Sequence, residues 1–408
     1  MVKLFESKDN CCGCGSCVNI CPQKAISMVE DEYGYLYPSV NESLCIECGL
    51  CTKVCRFKGA EELNAPKDAY AAVNIDKNQV MNSSSGGIFV AAARYIIQNG
   101  GIVYGAAYRN ENGIISVEHI GVDNTDDLYK LQGSKYVQSN TGNIYQETKK
   151  MLESGRLVLF SGTPCQVSAL KGFLRKDYKT LFIIDIICHG VPNQKLLNDY
   201  LQNTIVKSGE TIEKIDFRSK NKGWDDFQFK YWLTNQNAKT RCFLAPCYTS
   251  SYYSMFLKGE IYRDSCYRCK YAGKNRTGDI TLGDFWGVRN QHPELFSEMK
   301  WKERRYEGIS CALINTRQGE KLIGKISDCL EMVKSDYERV SAQNGQLVHP
   351  VSMPDSRSEI LDIYVKEGYA GLEKRFRDKS GISYYYLLLK NKFPLKLKLF
   401  IKRLTHTL

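Results

Sequence analysis

The chain has 408 residues, 43% of them hydrophobic and 25% charged, which suffices for about two to three domains with sizeable cores. Its formal charge of +11 predicts an acidic partner, but acids and bases are interspersed and no stretch interleaves aromatic with basic residues as a nucleic-acid module would, so nucleic acid is excluded. Seventeen cysteines are too many for an ordinary cytosolic enzyme and too clustered for a secreted disulfide scaffold.

The N-terminus, MVKLFESKDN, has neither an apolar core nor a small-residue cleavage site, so no secretory signal is predicted. No apolar run approaches the ~20 residues that cross a bilayer, and a reducing, cytoplasmic location is expected. CCGCGSCVNICPQKAI follows, with Cys11, Cys14, Cys17 and Cys21-Pro22 spaced C-x2-C-x2-C-x3-C-P. CIECGLCTKVC repeats the spacing with Cys45, Cys48, Cys51 and Cys55, where Arg56 replaces the proline. Neighbouring thiols in such a run cannot meet disulfide geometry without distorting the backbone. Three thiolates of each run wrap one cubane, and in two-cluster ferredoxins the fourth comes from the other run. Cys11, Cys14, Cys17 and Cys55 are therefore expected to hold one [4Fe-4S] cluster, and Cys45, Cys48, Cys51 and Cys21 the other. Tetrahedral zinc is the competing reading, but a three-cysteine run with a distal fourth suits it poorly. Cys12 falls outside the pattern and reads as a small packed residue. AISMVEDEYGYLYPSV reads as a hairpin turning near Asp31 to Gly34. The segment resembles a bacterial-type 2[4Fe-4S] ferredoxin domain, assigned to residues 1–62, with residues 63–68, around Pro66, as linker.

In NSSSGGIFVAAARYIIQNGGIVYGAAY, residues Ser83, Ser84, Ser85, Gly86 and Gly87 precede an apolar helix that ends at Asn99-Gly100-Gly101 and runs into a strand. Such a start exposes unpaired N–H groups that suit a phosphate or pyrophosphate; simple N-capping is the alternative. In RLVLFSGTPCQVSALKGFLRKDYKTLFIIDIICHGV, RLVLF and LFIIDIIC read as buried strands around a helix from Gln166 to Leu174. A unit this compact predicts parallel neighbours joined by a right-handed crossover. Both strands then end on the edge where open α/β sheets bind ligands, which would bring Cys165 and Cys188 together. Farther on, Cys266 and Cys269 form CYRC. Spacing leaves three readings open: a zinc knuckle with Cys242 and Cys247, a redox dithiol, or a third cluster with Cys165 and Cys188. Residues 316–408 read as helical stretches without chemistry. Their basic end, KNKFPLKLKLFIKRLTHTL, reads as a solvated tail or, alternatively, as a weak contact with an anionic membrane surface.

GTPCQ, CHGVP, CxxC and GDITLGDFWG, in this order behind a ferredoxin domain, resemble the coenzyme F-420 hydrogenase/dehydrogenase beta-subunit family over residues 1 to about 315. Members are flavoproteins that bind FAD beside a [4Fe-4S] cluster. The resemblance implies that Cys165, Cys188, Cys266 and Cys269 ligate a third cluster. It implies a flavin pocket made by Ser83 to Gly87, by Gly133, Ser134 and Lys135 of LQGSKYVQS, and by Ser161, Gly162, Thr163 and Pro164 of SGTP. Lys135 is the candidate charge that steadies reduced flavin. His189 is the candidate proton donor to substrate, or a hydrogen-bond donor to cluster sulfur. Arg276, Asp279 and Asp284 are expected to support the CxxC loop, and Cys242, Cys247, Cys311 and Cys329 to be packing residues.

The expected fold is a small ferredoxin domain followed by a mixed α/β flavin-binding body with parallel βαβ units: residues 69–150 like the family's N-terminal domain, 151–320 like its C-terminal domain, and 321–408 helical with a basic tail. The expected function is that of an iron–sulfur flavoprotein oxidoreductase. It would pass electrons between a protein such as ferredoxin, the clusters and FAD, and exchange hydride with a small-molecule substrate or deazaflavin-type carrier. A pure electron-transfer subunit with no substrate of its own is the alternative.

Overall fold

The computed structural model describes residues 2–59, 61, 63–226 and 228–392. The two cysteine runs fold alike. Each enters a short helix, α1 (Ser16–Ile20) or α2 (Leu50–Lys53), through a left-handed glycine, Gly15 or Gly49, and each helix carries the third cysteine of its run. Between them lies the expected hairpin, β1 (Ile26–Glu30) antiparallel to β2 (Leu36–Val40). Its turn is fixed by Asp31, whose Oδ1 accepts from the amides of Tyr33 and Tyr35 at 3.1 and 2.8 Å.

The body begins with β3 (Asp68–Asn74), the apolar helix α3 (Ile88–Gln98), and the hairpin β4 (Ile102–Glu111) and β5 (Ile114–Val122). β6 (Val158–Gly162), α4 (Pro164–Leu174) and β7 (Leu181–Ile186) form the predicted crossover unit, with β6 and β7 parallel neighbours. A separate antiparallel sheet follows, made of β8 (Glu210–Ser219), β9 (Gln228–Asn235) and β10 (Thr240–Pro246). The chain then returns as β11 (Ile280–Asp284), β12 (Ser310–Ile314) and β13 (Leu330–Ser335), and ends in helix from Ser356 to Lys392, kinked at Gly368 and Gly381. One mixed eight-stranded sheet, in the order β13-β3-β12-β11-β7-β6-β4-β5, forms the centre of the body. Its middle strands, β11, β7, β6 and β4, are parallel, as strands buried on both faces tend to be.

Three expectations are corrected. The boundaries at 150/151 and 320/321 divide strands of one sheet, because β3 pairs with both β12 and β13. The region from 321 is not wholly helical, since β13 lies in it. The 63–68 stretch is no free tether: Asn64 and Arg276 exchange backbone hydrogen bonds of 2.9 and 2.8 Å. The ferredoxin segment also shares the body's core, where Cys14 and Ile20 pack against the cluster that contains Tyr145, Phe160 and Leu170. The basic tail lies outside the described residues from 393 onward.

Candidate cofactor cavity and cysteine centres

The cysteines gather into three groups. Cys11, Cys14, Cys17 and Cys55 stand within electrostatic range of one another, although Cys55 belongs to the second run. Burial pushes the Cys11 thiol up to about 11 and raises Cys17 as well. Cys21, from the first run, shares a small surface hollow with Cys45, Cys48 and Cys51. In the body, Cys165 at the start of α4 and Cys188 just beyond β7 meet Cys266 and Cys269. Cys188 is raised by burial and then by Cys266, Cys165 and Cys269, while burial pushes Cys266 up to about 12 and Cys269 up to about 11.

Among the described residues no three His, Cys, Asp or Glu close on a single ion. A cubane makes no such demand, because each of its four thiolates binds a separate iron. Buried thiols with raised pKa also fit iron ligation, since a metal removes the proton and supplies the missing counter-charge. The zinc-knuckle grouping has no geometric support. Cys242 is exposed, and after burial the largest influences on Cys247 are the Tyr248 amide and the Asp226 charge. Of the four presumed packing cysteines, Cys311 is fully buried, but Cys242 and Cys329 are exposed. Cys12 is buried as expected, and its thiol lies within interaction range of Cys14 and Cys165.

A cavity of ≈ 500 Å³ opens at the ends of β6 and β7. Ser83, Ser84, Ser85 and Gly87 line it before α3, Gly133, Ser134 and Lys135 from a second loop, and Ser161, Gly162 and Thr163 from the end of β6. Cys165, Cys188 and His189 line it as well. Two expected lining residues do not. Gly86 is pressed against the sheet, where a Cβ would sit 2.4 Å from the Ala72 carbonyl oxygen and 2.9 Å from the Ser310 nitrogen. Pro164 is buried in the first turn of α4, where a missing N–H costs nothing.

The loops are tied to each other and to the core. Ser84 and Ser134 hydroxyls lie 2.7 Å apart. Lys220 Nζ donates to the Val80 and Ser85 carbonyls, each at 2.8 Å. Lys135 Nζ donates to the carbonyls of Gln132, Gly133 and Lys130 at 2.7, 3.1 and 3.3 Å, which closes its own loop. Burial pulls both Lys135 and Lys220 down to about 7. His189 is exposed to the cavity and lowered by the surrounding protein.

Sequence reading missed several lining or supporting residues. His119 Nε2 donates to the Ser161 carbonyl at 3.1 Å and Nδ1 faces the Ser139 hydroxyl at 3.0 Å; burial lowers it to about 4, so it is neutral. In VEHIGV it reads only as a strand position. Arg218 pairs with Asp284 at 2.9 Å, and Trp224 Nε1 donates to the same carboxylate at 2.7 Å. Asp284 is thus part of the cavity wall and not a support for the CxxC loop. Arg276 is such a support, donating to the Tyr271 and Ile186 carbonyls at 2.8 and 3.1 Å. Asp279 accepts from the Ile183 amide at 2.8 Å and fastens the following strand.

A dinucleotide fits this cavity on the chemistry of its donors: hydroxyls and helix-start amides at the Ser83–Gly87 turn, with the Ser85 hydroxyl buried and unpartnered among the described residues. Parts of the chain match known proteins. Residues 155–338 match the family model for the C terminus of the coenzyme F420 hydrogenase/dehydrogenase beta subunit, and residues 10–58 match the 4Fe-4S dicluster domain. The chain is 26% identical over 232 residues to the coenzyme F420-dependent sulfite reductase of Methanocaldococcus jannaschii, an alignment covering 52% of this chain and 36% of that protein. A chain of the F420-reducing [NiFe] hydrogenase complex from Methanosarcina barkeri superposes with a TM-score of 0.44 at 16% identity, over 75% of this chain and 95% of that one. Residues 155–338 thus resemble the C terminus of the coenzyme F420 hydrogenase/dehydrogenase beta subunit, and residues 10–58 ahead of them resemble a 4Fe-4S dicluster domain.

Proposed function

We propose that the chain is an FAD- and [4Fe-4S]-dependent oxidoreductase with three cysteine-ligated centres. The observation that supports it most is the shared cavity, which unites three polar loops with Cys165, Cys188 and His189 of the body centre. Cys11, Cys14, Cys17 and Cys55 would hold one cluster, Cys21, Cys45, Cys48 and Cys51 a second, and Cys165, Cys188, Cys266 and Cys269 a third. When bound, FAD supplies the conversion between the single electrons of iron–sulfur clusters and the hydride chemistry of a metabolite. The Ser83–Gly87 turn and Thr163 offer donors to its phosphates, while Lys135 and Lys220 hold the two loops in shape. Arg218, Asp284 and Trp286 line the cavity as well, leaving His189 to orient a substrate. The named relative acts with coenzyme F420, which favours a deazaflavin-type carrier as the hydride partner and a protein such as ferredoxin as the electron partner.

Anaerobically purified protein is expected to carry about 12 iron and 12 sulfide per chain together with one FAD. Replacing both Cys266 and Cys269 by Ser should remove about a third of the iron and leave the other cluster signals in place. A wild-type protein with about eight irons, or one without flavin, would overturn the assignment. The alignment to only 36% of a longer relative favours a second reading, an electron-transfer unit without its own substrate. Catalytic reoxidation of the reduced protein by a deazaflavin would exclude it.

A further inference from the structure

Arg263 is fully buried, at 0% exposure. Its guanidinium crosses from the body into the ferredoxin segment: Nε donates to Gln138 Oε1 at 3.0 Å, one terminal nitrogen to the Cys11 carbonyl at 3.3 Å, and the other to the Leu36 carbonyl. It lies 4.4 Å from the centre of the Tyr37 ring. The space is shaped for it, since a Cβ on Gly13 would stand 2.7 Å from a guanidinium nitrogen. The same residue is wired into the body centre, its amide donating to the Val191 carbonyl at 3.0 Å and its carbonyl accepting from the Cys266 amide at 2.9 Å.

Each of these hydrogen-bond partners is neutral. Among the described residues, no carboxylate pairs with the guanidinium within 4 Å, whereas the buried Arg218 and Arg276 each face an aspartate. Arginine keeps its charge in proteins, and a buried charge without a counter-charge is strongly unfavourable. The groups in position to supply that counter-charge are thiols. The Arg263 charge acts on Cys11 in one centre and on Cys165 and Cys266 in the other. The buried Cys12 thiol spans the same gap, within interaction range of Cys14 on one side and Cys165 on the other. The third group lies elsewhere, with Cys48 exposed and Cys51 responding to Cys48 and Cys45.

We propose that Arg263 is the shared counter-charge of the two cysteine centres it lies between, and that it sets the redox potential of both while leaving the Cys21, Cys45, Cys48 and Cys51 centre outside its reach. The proposal rests on the three-centre reading above. A thiolate-ligated cluster becomes more negative on reduction, so a nearby buried cation favours the reduced form and raises the potential. Arg263 is a positioning residue in this sense: it touches neither substrate nor flavin, and its effect is electrostatic.

The experiment compares anaerobic holoprotein of wild type, Arg263→Gln and Arg263→Lys by iron and sulfide content and by potentiometric titration followed by electron paramagnetic resonance. In Arg263→Gln, at a fixed poise, the reduced-to-oxidised ratio of two clusters should fall about tenfold, which is ~59 mV for a one-electron couple. The third cluster should not move. Arg263→Lys keeps the charge and should restore both the iron content and the two potentials. Three unshifted clusters, or three shifted alike, would overturn the proposal. If the Gln protein does not assemble, the Lys protein decides: full iron with wild-type potentials supports a role for charge, while a Lys protein as defective as Gln assigns Arg263 to packing and overturns it. About eight irons in wild type would instead overturn the three-centre reading, before any variant is compared.

Discussion

Lys220 is where one residue links fold stability to the cavity. Its Nζ ties the Ser85 carbonyl of the Ser83–Gly87 turn to the Val80 carbonyl just before it, and burial pulls its pKa from 10.5 to about 7. Below pH 7 both native and unfolded chains carry the proton, and the native state bears the cost of burying it. Between about 7 and 10.5 the unfolded chain binds that proton and the native chain does not, so stability rises with pH across the window. Lys135 contributes in the same window, being lowered to about 7 as well. Lys220→Met should therefore reduce, without abolishing, the rise in the urea midpoint between pH 7 and pH 9. It should also weaken FAD retention, read by dialysis, because the turn loses its support. An unchanged pH slope would show that Lys220 is not the titrating group. On the proposed function, His189 serves the chemistry instead. His189→Gln should lower turnover by about 10²-fold while the iron and flavin content stay at wild-type levels, and a loss of either would assign it to assembly.

At the scale of elements, α4 joins the parts. Its N-terminus places Cys165 in the cavity wall, and Gln166 closes the first turn by accepting from the Thr163 amide at 3.1 Å. Nine of its eleven residues are buried, because one face meets the sheet and another meets the ferredoxin segment. Gly172 makes the closest approach: a Cβ there would stand 2.6 Å from the Val54 carbonyl oxygen. Gly172→Val should wedge the segments apart, lowering thermal stability by about 1–3 kcal/mol and slowing reduction by a protein donor more than reduction by a small dye. The β6-α4-β7 unit was legible because two short apolar runs flank a helix and leave one topology. The ferredoxin hairpin was legible from its turn residues. The pairing of β3 with β12 and β13 was not, because each run taken alone carries no sign of its distant neighbour. His119 and Lys220 were illegible for a related reason: a single polar residue in a strand or loop gains meaning only when distant carbonyls arrive beside it. The third centre stands between these cases. Cys165 and Cys188 followed from the crossover, whereas spacing left Cys266 and Cys269 with three readings, and their meeting depends on the fold of the 77 residues between Cys188 and Cys266.

Across the whole molecule, the two segments depend on each other. An independent relay at the N-terminus would predict that residues 1–62 can be removed to leave a folded flavoprotein. The contacts argue against that outcome. Arg263 would lose the Cys11 and Leu36 carbonyls and the cover of Tyr37, and would stand uncompensated at a newly opened surface. Thr141 and Tyr145 would lose the Cys14 carbonyl, held at 3.0 and 2.9 Å, and the apolar face around Phe160 and Leu170 would lose Cys14 and Ile20. Tyr35, at 0% exposure, donates to the Ile261 carbonyl at 3.0 Å, so that acceptor would be opened too. Each buried group left without its partner costs about 1–3 kcal/mol, and a whole domain is commonly stable by only about 5–15 kcal/mol. Residues 63–408 alone should therefore be poorly soluble or unfold well below the full chain, and should lose iron from the body centre as well as from the two that were deleted. The measurement is a pair of thermal unfolding curves with iron counts, for full-length and shortened protein prepared side by side. A shortened protein that keeps the full chain's unfolding temperature, its flavin and about four irons would show that the ferredoxin segment is a detachable relay after all, and that the shared core contributes little to holding the body together.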